Sequence, residues 1–325
     1  MHKYFNYRSL PVYCILLLLF WIIIYNIGLP KSNPYEKPTT GEASVPISKP
    51  KPTIAPIDVS KALHVRNTIL QLGDTTDEII RKLGFPGRIA KSEYDFTYYI
   101  YNNDYKKLLF VALLDNKVVG FYTDALDFEY HGFRYGASLD EVNSALNESF
   151  KLSEVLTSTI SEAKVSVLMD NLETGKVVGI YVLANVVKEI DYKEEIMSDA
   201  EQLVYDLTNS VRVRNGLEPL SWSSSASQAA KKHSRNMAEL NFFSHVDPFF
   251  RSPGNRLNAE GISYITCGEN IIAGYDNAIL SSHGWYVSKD HRSILLNKNF
   301  RYLGVGFAYN ADSIYKTYIT QNFYR

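Results

Sequence analysis

The chain has 325 residues, 46% of them hydrophobic, which is long and apolar enough for one or two ordinary cores. Its 34 basic and 35 acidic side chains leave a formal charge of −1, so there is no basic footprint for nucleic acid. Two cysteines in all exclude a scaffold stapled by several disulfides.

Leu10 to Leu29 (LPVYCILLLLFWIIIYNIGL) carries no charged side chain and is close to the ~20 residues that cross a bilayer core. Lys3 and Arg8 precede it. The positive-inside tendency keeps residues 1–9 in the cytoplasm and places the remainder of the chain outside. A cleaved signal peptide is the competing reading, but YNIGLPKSNP lacks the small-x-small pattern of a cleavage site, which favours an uncleaved anchor. Cys14 reads as a small apolar residue of that segment, because Pro11, Val12 and Tyr13 are not the small residues lipidation needs. Cys267 is then the one cysteine outside, with no exported partner for a disulfide. Residues 30–58 form a proline-rich linker holding seven of the chain's twelve prolines, suited to extended polyproline II.

An internal repeat comes next. LGDTTDEIIRKLG at 72–84 aligns with YGASLDEVNSALN at 135–147, and KVVGFY at 117–122 with KVVGIY at 176–181. Each copy opens with a glycine turn and a Thr or Ser that can cap a short helix, then runs into β-rich segments. Residues 59–192 are therefore expected to form one duplicated α+β domain. EYDFTYYIYNNDYKKLLFVALLDNKVVGFYTD supplies three strand-like runs with turns at Asn102–Asp104 and near Asp115–Asn116. Asp124, Asp127, Glu129 and His131 read as a solvated loop. The many tyrosines of this domain suit either strands or a contact surface. Nothing in it resembles catalytic machinery, so it reads as a binding or positioning module.

Leu203, Val204, Leu207 and Val211 predict a helix from near Asp199 to RNGLEPL, where Gly216 and Pro219 stop it. A second helix begins after the serines of SWSSSASQAAKKHSRNMAEL, with His233 on its apolar stripe as a core histidine. His245 lies beyond it in the irregular NFFSHVDPFF, flanked by Ser244 and Asp247, which could fix its tautomer. In CGENIIAGY, Glu269 precedes an apolar pair and is expected to be buried beside a cation, a donor or a metal. In GWYVSKDHRSILLN, Ser288 is a plausible N-cap that puts His291 in the first turn, where the helix end favours a neutral imidazole. FRYLGVGFAY and SIYKTYITQNFY close the chain as an antiparallel hairpin with one buried face.

The succession NSVR, GLEPLSW, AAKKHSRNMAELNFFSH, Arg256, GEN, WYVSKDHRSILL, YLGVGFAY and YITQNF resembles the bacterial branch of the CAP superfamily, over about residues 196–325. The repeat before it resembles the CAP-associated N-terminal domain of Gram-positive, spore-forming bacteria. The resemblance implies an α-β-α sandwich with a cavity lined by two histidines and two acidic residues. By motif His245 and His291 are the histidines and Glu269 one of the acids. Ser288 stands where eukaryotic members carry the second glutamate, and Phe250 where a glycine is common.

The fold class expected is thus α+β: a transmembrane helix, the duplicated domain, then the CAP-type sandwich. Three functions fit. A membrane-anchored module outside the cell could bind an envelope lipid, peptidoglycan or a peptide through His245, Glu269, Ser288 and His291. A hydrolase could use His245, His291 and Glu269 to hold Zn²⁺, the one cofactor this set suggests. The polar cluster could also be purely structural.

Overall fold

The computed structural model describes residues 62–188 and 192–325. The tail, anchor and linker expected at 1–9, 10–29 and 30–58 lie outside the described residues, among which no helix is long and apolar enough to cross a membrane.

The repeat in sequence is a repeat in structure. In the first copy, β1 (Leu63–Val65) and β2 (Thr68–Leu70) precede α1 (Thr76–Leu83), which leads into β3 (Arg88–Lys91), β4 (Thr97–Tyr101), β5 (Leu109–Leu114) and β6 (Lys117–Thr123). In the second, β7 (Glu129–Tyr130) and β8 (Phe133–Arg134) precede α2 (Leu139–Leu146), then β9 (Val155–Ile160), β10 (Ala163–Asp170) and β11 (Lys176–Ala184). The glycine turns are equivalent: the N–H groups of Gly73 and Gly136 donate to Val118 and Val177, both at 2.8 Å. Both glycines have positive φ, +87° and +78°, a conformation that costs other residues. Thr75 with Glu78 and Ser138 with Glu141 each complete a capping box. Thr75→Ala and Ser138→Ala are each expected to lose about 1 kcal/mol in urea unfolding. A loss of only a few tenths would mean that packing alone holds these short helices.

Strands β6 and β11, which carry the two KVVG motifs, pair antiparallel inside a seven-stranded sheet of order β3-β4-β5-β6-β11-β10-β9. Three strands come from each copy, and β3 is an additional edge strand of the first. Its four residues, RIAK, are too few to announce themselves by alternation. One sheet face packs residues such as Val111, Phe121, Val165 and Ile180 against Leu63, Ile79 and Val142.

The opposite face meets the C-terminal domain. There α3 (Glu194–Arg214) starts five residues before Asp199, with Glu194 and Glu195 in its first turn. Acidic residues suit that end of the dipole but are invisible to apolar periodicity. Next come β12 (Ser221–Trp222), α4 (Ser224–Leu240) capped by Ser223, α5 (Pro253–Ala259) and β13 (Cys267–Ala273). Helices α6 (Ala278–Tyr286) and α7 (Lys289–Leu295) precede β14 (Tyr302–Tyr309) and β15 (Thr317–Tyr324). The sheet order is β12-β14-β15-β13. The expected final hairpin is present, but both of its faces are buried rather than one. A Cβ on Gly304 or Gly306 would sit 2.1 Å from the backbone nitrogen of Ser227 or Lys231, so α4 lies directly on the strand there. Val305 and Phe307 share the core with Leu203 and Val204 of α3. The result is a helix-sheet-helix sandwich.

The two domains share that core, since Tyr98, Phe110, Tyr122 and Tyr181 of the repeat domain join one apolar cluster with α3, α6 and β14. Polar groups pin the contact. Asp206 of α3 accepts from Arg88 at 2.7 Å, Asn102 at 2.9 Å and Tyr105 at 3.0 Å. Asp124, expected in a solvated loop, is buried instead and pairs with Arg214 at 3.0 Å and Ser210 at 2.8 Å. Arg292 of α7 donates to Asp170 of β10 and stacks on Tyr286 at 3.9 Å.

Candidate functional site

Strand alternation separates the residues of the GEN segment. Ile271 packs with Met237 of α4 on one face of β13, while Ile272 joins the core on the other. Glu269 shares its face with Ile271 and stands opposite Asn322 in the pairing with β15. Its side chain is buried to 1% exposure, and both oxygens are engaged. Oε2 accepts from Arg256 Nη2 at 2.6 Å and Oε1 from His245 Nδ1 at 2.9 Å. With its amide turned to suit its neighbours, Asn322 also donates to Oε2 at 3.1 Å and accepts from Ala230 N at 3.2 Å. The cation expected beside Glu269 is therefore Arg256 of α5, itself buried.

His245 is the exposed member of this chain of contacts, with half of its side chain accessible over a buried carboxylate. Glu269 fixes the ring by accepting its Nδ1 proton in a hydrogen bond, which leaves Nε2 for a ligand. Neither flanking residue does this, contrary to expectation. Ser244 Oγ accepts from Val246 N at 3.2 Å. Asp247 accepts from Phe249 N and Arg251 N, both at 2.9 Å, and from Arg251 Nε at 2.8 Å. Asp247 thus ties the HVDPFF loop into a fixed turn, and Arg251 O receives Arg256 Nη1 at 2.7 Å, joining that turn to the site. Phe250 projects from the turn at φ +60°, 88% exposed, where the resemblance led one to expect a glycine.

His291 falls at the third position of α7, and its Nδ1 lies 2.9 Å from Ser288 Oγ. Ser288 is the N-cap residue by backbone position, yet its hydroxyl serves the imidazole and makes no cap bond. Burial and then the neighbouring His245 lower His291 below the ordinary imidazole value, against Asp290. Both effects favour the uncharged ring, and burial rather than the helix end is the larger cause. Asn270 donates to His291 O at 3.2 Å and so ties α7 to β13.

His233 is a core histidine, as its place on the apolar stripe implied, and Nε2 is 3.0 Å from Ser244 O. It also lies 3.9 Å from Glu269 Oε1, which makes it part of the same cluster. Burial drives its pKa down to about 4, helped by Arg256 and opposed by Glu269.

Among the described residues no three of His, Cys, Asp and Glu are grouped to hold a metal ion. A Zn²⁺ ion held by His245, His291 and Glu269 would have to share the carboxylate with Arg256, which bonds Oε2 at 2.6 Å. What remains is an imidazole oriented by a carboxylate, an arrangement that orders a ligand's partner as readily as a metal's.

Arg256, Asn322 and His233 join the site without a motif that nominates them. Arg256 belongs to a helix opened by a Ser252–Asn255 capping box, and nothing local marks its destination. Asn322 did leave a signal: Thr320, Gln321 and Asn322 are consecutive polar residues in a strand, and all three are completely buried.

Comparison with known proteins agrees with this architecture. Residues 205–323 match the model of the cysteine-rich secretory protein family, CAP, and residues 72–161 that of the CAP-associated N-terminal domain. The uncharacterized membrane protein YlbC of Bacillus subtilis is 29% identical over 316 residues, covering 85% of this chain and 89% of that protein. Among solved structures, an extracellular SCP-domain protein of Bacillus anthracis superposes with a TM-score of 0.69 at 24% identity, covering 86% of this chain and all of that one. A cysteine-rich secretory protein of Staphylococcus aureus gives 0.59 at 16% identity, covering 78% and 93%.

Proposed function

We propose that this chain, a bacterial CAP-domain protein with a CAP-associated N-terminal domain, is a binding module at the cell envelope that engages its ligand through His245 and His291. The observation that carries this reading is the half-exposed His245 ring held by a buried carboxylate. Glu269 is spent on orientation and is neutralised by Arg256, so it serves recognition better than proton transfer. The charge-free stretch at Leu10–Leu29 and the name of the membrane relative both favour a membrane-anchored chain with its C-terminal domains outside. An envelope lipid, peptidoglycan or a peptide is the class of ligand this placement offers.

The hydrolytic alternative has less support, because a Zn²⁺ centre would have to draw Glu269 away from Arg256 or rely on two imidazoles alone. A nucleophilic route has little support as well, because Ser288 contacts the Nδ1 of His291 from a helix N-cap, not from a nucleophile turn.

Because the two domains share a core, the test uses the full chain in detergent micelles. Purified envelope lipids, solubilised peptidoglycan and stem peptides are titrated calorimetrically against wild type and His245→Ala/His291→Ala. Saturable binding weakened about tenfold or more by the double substitution is expected. Equal affinity of both proteins would sink the reading. A parallel Zn²⁺ titration should show no strong site; one tightly bound ion lost in the double variant would revive the hydrolase.

A further inference from the structure

A second site, apart from the histidines, lies where the two domains meet. A cleft of about 850 Å³ opens there, within the range of ligand pockets, and domain boundaries are a preferred place for them. Five tyrosines line it: Tyr94 from the repeat domain, Tyr192 from the connector to α3, and Tyr275, Tyr309 and Tyr315 from the CAP domain. Both domains therefore contribute, and the cleft exists only in their assembly.

The rings are fixed by the protein. Tyr192 stacks on Phe307 at 5.0 Å and lies tilted against Tyr309 at 5.1 Å between centroids, and its hydroxyl donates to Asp276 O at 2.6 Å. Tyr94 lies nearly parallel to Phe96 at 5.3 Å. Tyr275 O receives Thr317 Oγ1 at 2.8 Å, and Gly274 N–H bonds Thr317 O at 3.0 Å, which anchors the floor. Tyr315 packs edge-on to Tyr318 and is still 45% exposed. Rings already held in place spare a ligand the ordering cost of binding.

From this lining we infer that the cleft binds an uncharged oligosaccharide, the sugar rings lying on tyrosine faces. A pyranose offers a flat C–H face and a rim of hydroxyls. Tyrosine matches both, with an apolar ring and a polar tip. The charged residues of the lining balance, Lys193 and Lys316 against Glu93 and Asp276, so nothing selects a polyanion. They offer donors and acceptors to hydroxyl and amide groups instead. A lipid tail would need a wall without these polar groups. The inference does not depend on the histidine site.

The test is a calorimetric titration of the full chain in detergent micelles with chitotetraose, an uncharged N-acetylated tetrasaccharide. Saturable binding is expected, weakened about tenfold by Tyr315→Ala with a melting temperature near wild type, and likewise by Tyr309→Ala, whose lost packing on Tyr192 lowers the melting temperature while the chain stays folded at the titration temperature. His245→Ala/His291→Ala should leave it unchanged, so this proposal and the histidine-site proposal fail separately. Absence of binding to wild type overturns the inference. So does affinity that ignores both tyrosines, or binding of a sugar-free wall stem peptide in place of the tetrasaccharide.

Discussion

Glu269→Ala is expected to destabilise the protein by about 3–5 kcal/mol, the usual cost of stranding one member of a buried ion pair. Arg256 is 4% exposed at its side chain, and its Nε already has no hydrogen-bond partner among the described residues. Removing the carboxylate leaves a guanidinium in the interior with Arg251 O as its one remaining acceptor among the described residues. Glu269→Gln keeps the shape but not the charge, so it should recover only part of the loss. Glu269→Leu/Arg256→Met should cost clearly less than the sum of its single substitutions, because removing both partners strands nothing. Urea unfolding of these variants measures the coupling. Additive losses would show that water already solvates the pair and that Glu269 does not hold His245 in a dry environment. In the Glu269→Ala variant, the His245 ring also loses its Nδ1 acceptor, so its ring resonances should lose their preferred tautomer.

That carboxylate also marks how far the sequence could be read. The repeat was legible because duplication leaves identical residues behind whatever the fold. The same Gly73 and Gly136 turns, the same capping boxes and the same KVVG strands recur in the structure. His245, Glu269 and His291 could be nominated from the order of their motifs, and the contact between the first two is direct. What sequence periodicity did not contain was the partner of each buried charge. Arg292 and Asp170 are 122 positions apart, and Asp124 sits in a stretch whose neighbours Asp127 and Glu129 really are exposed. Local pattern sees burial of apolar residues. It does not see a charge buried because a distant helix brings its counterion.

The interdomain contact joins these two lessons, since Arg292 comes directly after His291 in α7. Asp170, on the second repeat, holds the helix that presents a site histidine. Tyr286 stacks under the same guanidinium and is within 6.0 Å of Arg214, which pairs with Asp124. The repeat domain thus contacts the helix that carries His291 through named side chains.

Acid should weaken the fold while most of its carboxylates are still ionised. Burial, with Arg256 adding to it and Glu269 opposing, brings His233 to about 4, and burial likewise brings His283 to about 4, from an ordinary 6.5. His283 sits at the domain contact with Nε2 2.9 Å from Glu154 O. In the unfolded chain both rings take up protons near their ordinary value, whereas in the folded chain they stay neutral until much lower pH. Their contribution is therefore complete above 6.5 and drains away as pH falls towards 4, by up to about 3 kcal/mol for each ring. Glu201 works in the opposite sense, because burial raises its carboxyl to about 7 despite Lys231 at 2.9 Å. The folded state then gains protons first, and stability rises as pH drops from 7 through the ordinary glutamate range, offsetting about one of the two histidines. A net loss of about 3 kcal/mol between pH 7 and pH 4 is expected from these three groups. Glu201→Gln should steepen the acid branch, and His283→Asn should flatten it. Urea midpoints measured across that interval decide the matter: a flat profile in wild type, or an unchanged slope in His283→Asn, would show that these rings reach water in the folded state.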